Sequence, residues 1–207
     1  MCGMTVRGTP AYDQTAVPAP VAAAVAAARR TGFANSCGPE HGELLRLLAR
    51  GVGAGTIGET GTGCGVGLAW LAAGADPGAR LVSVERDPDR AAVAAEVFAA
   101  DPRVTVVAAD WRDLLAHGPF DLLVLDGGGH GKHDGEPIDV EVWLRPGGLL
   151  VIDDFTPSRG WPPVYDGRPD LARLHWLRHP ALLATELPVT PSSVSLVGRY
   201  PGRKVAG

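Results

Sequence analysis

Cysteine is scarce in this chain. Cys2, Cys37 and Cys64 are the three among 207 residues, and no two of them stand in CxxC spacing. A disulfide framework and a zinc site are both disfavoured, and a reducing cytoplasm is the expected compartment. Basic clusters are missing as well. No basic tract exceeds Arg29-Arg30, and 19 Lys+Arg face 23 Asp+Glu for a net charge of −4. A nonspecific nucleic-acid binder relies on many phosphate contacts and is excluded on this count, although one specific RNA substrate is not. Nor does any apolar run reach the roughly 20 residues that a membrane span requires. The run from Ala16 to Ala28 is shorter, carries Pro18 and Pro20, and meets Arg29-Arg30 where a cleavage site would stand. It reads as an N-terminal helix, with a signal peptide as the alternative and no role in a membrane.

What the chain does have is an alternation of apolar strands and helical stripes. Apolar residues make up 45% of it, and the 28 Gly and 18 Pro punctuate those segments without forming a repeat. Residues 1–16 read as a flexible start. Helices are expected from Pro20 to about Arg30 and from Pro39 to Gly51, so that 17–50 form an N-terminal helical part ahead of a core over 51–200. Strands at Thr56–Glu59, Leu81–Glu85, Val104–Ala108, Phe120–Leu125 and Leu149–Ile152 alternate with helices near Gly65–Ala73, Pro88–Ala100 and Trp111–Ala116. That rhythm predicts a parallel sheet covered on both faces. After a helix at Leu171–Arg178, the strands Leu182–Val189 and Ser193–Gly198 are separated only by a short turn with Pro191, too short for a helical crossover. The expected fold is a single α/β domain: a Rossmann-like, doubly wound sheet of about seven strands, mostly parallel, with an antiparallel C-terminal hairpin.

The chemistry centres on Glu59-Thr60-Gly61-Thr62-Gly63-Cys64-Gly65-Val66-Gly67, which follows a strand and opens a helix. Glycines there let backbone approach a ligand closely. The dinucleotide fingerprint G-x-G-x-x-G fails, because Val66 stands where Gly or Ala is needed, and no Gly-Lys-Ser/Thr of a P-loop is present. Glu59 beside the glycines suits a cationic ligand better than a pyrophosphate. Glu85, with Arg86 next to it, ends the second strand, where an acid can accept both hydroxyls of a ribose. Asp110-Trp111 ends the third and suits an adenine, with an acceptor for the amine and a ring for the base. Asp126 ends the fourth. Four acids in register at the ends of parallel strands line one crevice. The bland alternative for each is a solvated carboxylate or a helix cap. Cys64 reads as a small filler within the loop.

These residues, together with Phe120-Asp121-Leu122-Leu123-Val124-Leu125-Asp126 and Leu144-Arg145-Pro146-Gly147-Gly148-Leu149-Leu150-Val151, make the chain resemble the class I S-adenosylmethionine-dependent methyltransferases over roughly 30–200. Within them it is most similar to the small-molecule O-methyltransferases of the catechol type. The resemblance implies S-adenosyl-L-methionine as methyl donor, held by Ser36, Glu59, Gly61, Thr62, Gly63, Gly65, Glu85, Arg86, Asp110, Trp111 and Asp126. Asn35-Ser36 and Glu40-His41-Gly42 stand where the family holds the methionine carboxylate. It also implies a divalent metal, Mg2+ by preference for oxygen ligands, at Asp126, Asp153 and Asp154. Asp154 departs from the family's Asn, and the family's lysine three residues after Asp126 is absent.

Methyl transfer is an in-line displacement on an already activated sulfonium, so positioning and water exclusion are the protein's main tasks. Asp126 and His130 are the catalytic candidates, with His133 a second loop histidine within reach of the same task. Trp161 and Tyr165 are expected to wall a site for an aromatic small-molecule acceptor, while His175 and Trp176 read as packing. The N-terminal helices offer a surface for a homodimer. Three alternatives stay open: a methyltransferase acting on RNA or protein, a non-catalytic sensor of S-adenosylmethionine or a nucleotide, and a nicotinamide oxidoreductase, which the glycine spacing disfavours.

Overall fold

The computed structural model describes residues 8–13, 16–133 and 135–202, so Cys2 lies outside it. Its helices are α1 (Ala19–Arg30), α2 (Pro39–Val52), α3 (Val66–Gly74), α4 (Pro88–Val97), α5 (Val140–Trp143) and α6 (Leu171–Leu177). The strands are β1 (Thr56–Thr60), β2 (Arg80–Glu85), β3 (Val104–Ala108), β4 (Phe120–Leu125), β5 (Leu144–Phe155), β6 (Val164–Tyr165), β7 (Arg168–Pro169), β8 (Leu183–Thr190) and β9 (Ser193–Arg199). Seven of them form one sheet in the order β3-β2-β1-β4-β5-β9-β8. The five strands from β3 to β5 are parallel, and β9 pairs antiparallel with both β5 and β8. This is the doubly wound architecture that the strand–helix rhythm predicts, terminal hairpin included.

Alternation along the strands builds two cores, one on each face, because successive side chains point to opposite sides. Ile57, Leu81, Leu122, Val124 and Val151 face α1, α2 and α3. Val82, Val84, Leu123, Leu125, Leu150 and Ile152 face Leu114, Trp143 and Trp176 on the other side. The first layer closes on Trp70 of α3, which is fully buried. A Cβ at position 42 would meet the Trp70 ring at 2.2 Å, so α2 carries Gly42 where α3 crosses it. The Trp70 indole donates to the Tyr12 hydroxyl (2.9 Å), which in turn donates to the carbonyl of Cys37 (2.7 Å). Residues 8–13, expected to be loose, are thereby stitched to the core through a 3-10 turn at Thr9–Tyr12. Helix α4 ends at Val97 rather than Ala100. The helix expected after β3 is a 3-10 helix, Trp111–His117. The short elements α5, β6 and β7 have no signature in sequence, since four- and two-residue elements are too brief to show a period.

Strand order reverses between β1 and β4: β2 and β3 lie to one side, β5 to the other. At such a switch point the loops after the two central strands diverge and open a crevice beyond the carboxyl ends of the strands. Those loops begin at Gly61 and Asp126.

Candidate active site

A cavity of about 720 Å³ opens at this switch point, within the range of small-molecule sites. The four strand-end acids Glu59, Glu85, Asp110 and Asp126 all line it. Ser36, Gly61, Thr62, Gly63, Arg86 and Trp111 line it too, whereas Gly65 lies just beyond, at the start of α3.

The glycine loop is shaped by backbone proximity. Gly61 has φ +85°, and a Cβ there would stand 2.5 Å from the nitrogen and Cα of Gly127. The two loops can touch only because neither residue has a side chain at the contact. Four of the loop's N–H groups are already spent. Those of Gly61 and Thr62 donate to the carbonyl of Val84 (2.8 and 3.2 Å), that of Gly63 to Glu85 Oε2 (2.9 Å), and that of Gly65 to the carbonyl of Thr62 (2.8 Å). A phosphate cradle needs such groups free, and these four are not.

Glu59 is buried, and its Oε2 accepts from the Ser83 hydroxyl (2.6 Å), itself 2.5 Å from Thr62 Oγ1. Burial pushes its carboxyl up to about 8, with Asp126 and Glu85 adding repulsion against the relief from Ser83. Asp126 is likewise pushed up to about 7 by burial and then by Asp153 and Asp154. Both carboxyls favour a cation arriving beside them. Glu85 is oriented by the N–H groups of Gly63 and Asp87 (3.0 Å for the latter) and by Arg90 at 3.4 Å. Asp110 also caps the 3-10 helix, accepting from the Arg112 N–H and held below the usual carboxylate range mainly by that bond. Capping and lining coexist in this residue. The Ser36 hydroxyl is buried without a partner among the described residues, which suits a ligand oxygen arriving from the cavity.

The other end of the cavity is built by residues distant in sequence. His41, Asp153, Asp154, Thr190 and Ser193 line it. Ser195 Oγ donates to Asp153 Oδ1 (2.9 Å) and lies 2.8 Å from His41 Nδ1, itself 3.3 Å from Asp153 Oδ1. The serine's single proton is committed to Asp153, so His41 Nδ1 must carry the proton of its own contact, leaving the lone pair on Nε2. Burial pulls the imidazole down against the pull of Asp153, so the contact joins a neutral ring to a carboxylate through a hydroxyl.

Several expected roles change on this geometry. His130 lies outside the cavity lining. Its Nδ1 accepts from the Lys132 N–H (3.1 Å), its carbonyl accepts from the Trp176 indole (2.8 Å), and burial lowers its ring to about 4. It fastens a loop instead of facing the reacting atoms. His133 is also outside the lining, as are Trp161, exposed and stacked against Arg178 at 4.9 Å, and Tyr165, exposed in β6. No aromatic wall from these two meets the cavity. The metal set does not assemble either. Among the described residues no three His, Cys, Asp or Glu side chains form a group able to hold a metal ion. Asp126, Asp153 and Asp154 share the cavity, but Asp153 Oδ1 is occupied by Ser195 and its carbonyl by the Lys132 ammonium. Mg2+ demands near-octahedral oxygen ligation, and this donor set does not fit it.

Sequence reasoning passed over Phe33, Arg90, Thr190, Ser193 and Ser195. His41 and Ser195 are 154 residues apart, and no local spacing signals their contact.

Known proteins place the chain. A methyltransferase-domain family matches residues 59–155. A catechol O-methyltransferase of Mycobacterium tuberculosis is 34% identical over 160 residues, covering 72% of this chain and 71% of that one. The crystal structure of cofactor-bound Rv0187 from MTB superposes with a TM-score of 0.71 at 25% identity, over 93% of this chain and 94% of that one. The O-methyltransferase TomG of Streptomyces achromogenes, solved in complex with SAM, has the same fold, with a TM-score of 0.69 at 21% identity over 93% and 94% of the two chains. The chain belongs to the class I S-adenosylmethionine-dependent O-methyltransferases. Among the described residues, no helix is long and apolar enough to cross a membrane.

Proposed function

We propose that this protein moves a methyl group from S-adenosyl-L-methionine to a hydroxyl of a small-molecule acceptor. The observation that carries the reading is the two carboxyls of Glu59 and Asp126, raised to about 8 and about 7, on the wall of one cavity with the ribose-type acceptor Glu85. A ligand that is cationic and bears a nucleoside satisfies all three. Glu59 and Asp126 attract the positive donor, Glu85 accepts from the ribose hydroxyls, Asp110 and Trp111 hold the adenine, and the Ser36 hydroxyl meets the methionine carboxylate. The relatives solved with S-adenosylmethionine, or named for catechol, support the donor and the acceptor class by analogy.

At the acceptor end the hydroxyl is oriented toward the sulfonium methyl, and His41 Nε2 is placed to take its proton. Asp153 and Ser195 hold the ring in the tautomer that leaves this nitrogen basic. The polar lining by Thr190, Ser193 and the carboxylates suits a hydroxylated acceptor, and the spent loop N–H groups weigh against a nicotinamide dinucleotide. Calorimetry with S-adenosylhomocysteine tests the donor site, and methyl uptake into hydroxylated small molecules against total RNA and protein tests the acceptor. No binding at millimolar ligand, or methyl uptake confined to macromolecules, overturns the reading.

A further inference from the structure

The loop after β4 delivers a lysine to the main chain of Asp153, one of three acids, with Asp126 and Asp154, that line the cavity. Lys132 is half-buried, and its ammonium donates to the main-chain carbonyl of Asp153. It sits 4.3 Å from the Phe155 ring centre, whose ring also carries the Arg173 guanidinium at 5.0 Å. Its charged neighbours are Asp154, Asp153, Asp126 and Asp170. The loop that holds it is fixed at several points: Lys132 N–H to His130 Nδ1, Trp176 indole to the His130 carbonyl, and a bridge between His130 and Pro137. A chain rising from Asp126 is thus pinned so that its sixth residue returns an ammonium beside the acids at the end of β5.

We propose that Lys132 is a built-in cation that takes the electrostatic place of a divalent metal at the acceptor end, so that methyl transfer by this protein needs no metal ion. Asp126, Asp153 and Asp154 concentrate negative charge at one end of the cavity. Such a cluster is relieved either by protonation, toward which Asp126 is already pushed, or by a compensating cation. An ammonium supplied by the chain provides it without desolvating a hydrated dication. Asp153 is then free to serve His41 through Ser195, which a metal ligand could not do with the same oxygen. Lys132 acts through Asp153 and Asp154 and is a positioning residue.

This inference rests on the reading of the cavity as a methyltransferase site, and its test separates the two. Binding of Mn2+ is followed by the paramagnetic resonance of the free ion in wild type, Lys132→Arg and Lys132→Met. Binding of S-adenosylhomocysteine is measured on the same samples. Wild type and Lys132→Arg are expected to leave Mn2+ free and to bind S-adenosylhomocysteine, with methyl transfer unchanged after exhaustive chelation. Lys132→Met, which keeps the length and removes the charge, is expected to lose about tenfold to a hundredfold in turnover and to regain part of it with Lys132→Arg. One Mn2+ bound per wild-type chain and released by Asp126→Asn, or turnover abolished by the chelator and restored by Mg2+, overturns the proposal. Failure of S-adenosylhomocysteine to bind wild type would instead strike the donor site. The wild-type metal titration stands even if a variant fails to fold.

Discussion

Replacing Glu59 by glutamine isolates the most perturbed acid of the cavity. The amide keeps the size and the hydrogen bond to Ser83 but cannot ionise. In the ligand-free protein the Glu59 carboxyl is raised from 4.5 to about 8, mainly by burial. That gap makes its ionisation harder than in water by about 5 kcal/mol. The stability contributed by the protonated form is fully present below pH 4.5 and is lost as the pH rises through 8. Wild type without ligand is therefore expected to lose thermal stability between about pH 4.5 and about pH 8, and Glu59→Gln to lose less over the same range. A cationic donor reverses the preference by favouring the carboxylate. At pH 7 its binding should release most of a proton from Glu59, so donor affinity rises with pH until the group is ionised beforehand. Calorimetry with S-adenosylmethionine in buffers of different ionisation enthalpy reads this directly. The apparent enthalpy should depend on the buffer in wild type, and that dependence should shrink in Glu59→Gln. Equal enthalpies in all buffers for wild type, or an unchanged dependence in the variant, would refute the reasoning.

Other residues give sharper but simpler expectations. Glu85→Ala removes the ribose acceptor and the partner of the Gly63 N–H, and should weaken S-adenosylhomocysteine by about 1–3 kcal/mol, read by calorimetry. Gly61→Ala places a Cβ against Gly127 at φ +85°. Thermal melts should show a loss of about 1–3 kcal/mol, and donor binding should fall with it. His41→Gln should lower turnover by about a hundredfold or more while leaving S-adenosylhomocysteine affinity unchanged, and Ser195→Ala should shift the pH–rate profile in a series of buffers.

Much of the fold is legible in the chain itself. The near-continuous apolar strand Phe120–Leu125, the alternation of strands with helices, and the short turn before Ser193 each dictate local structure. Right-handed crossovers then leave few arrangements for a parallel sheet. The donor half of the site is legible for the same reason. Glu59, Glu85, Asp110 and Asp126 each stand at the end of a strand, and parallel strands carry their ends to one edge. The acceptor half is not. His130 looks like a base because it is a histidine on a glycine-rich loop, yet its partners Lys132 and Trp176 turn it inward. Trp161 and Tyr165 follow β5 closely, but the β6–β7 hairpin carries them to the surface.

The sequence by itself determined the doubly wound sheet and the row of acids, because both follow from residue type, strand period and the short range of a glycine turn. Tertiary structure alone decided the partnership of His41, Ser195 and Asp153, the return of Lys132 to the carboxylates, and the loss of a metal-binding geometry. These contacts join segments separated by 21 to 154 residues. Such contacts are fixed by the packing of α2 and the C-terminal hairpin around the central strands, and no local pattern encodes them.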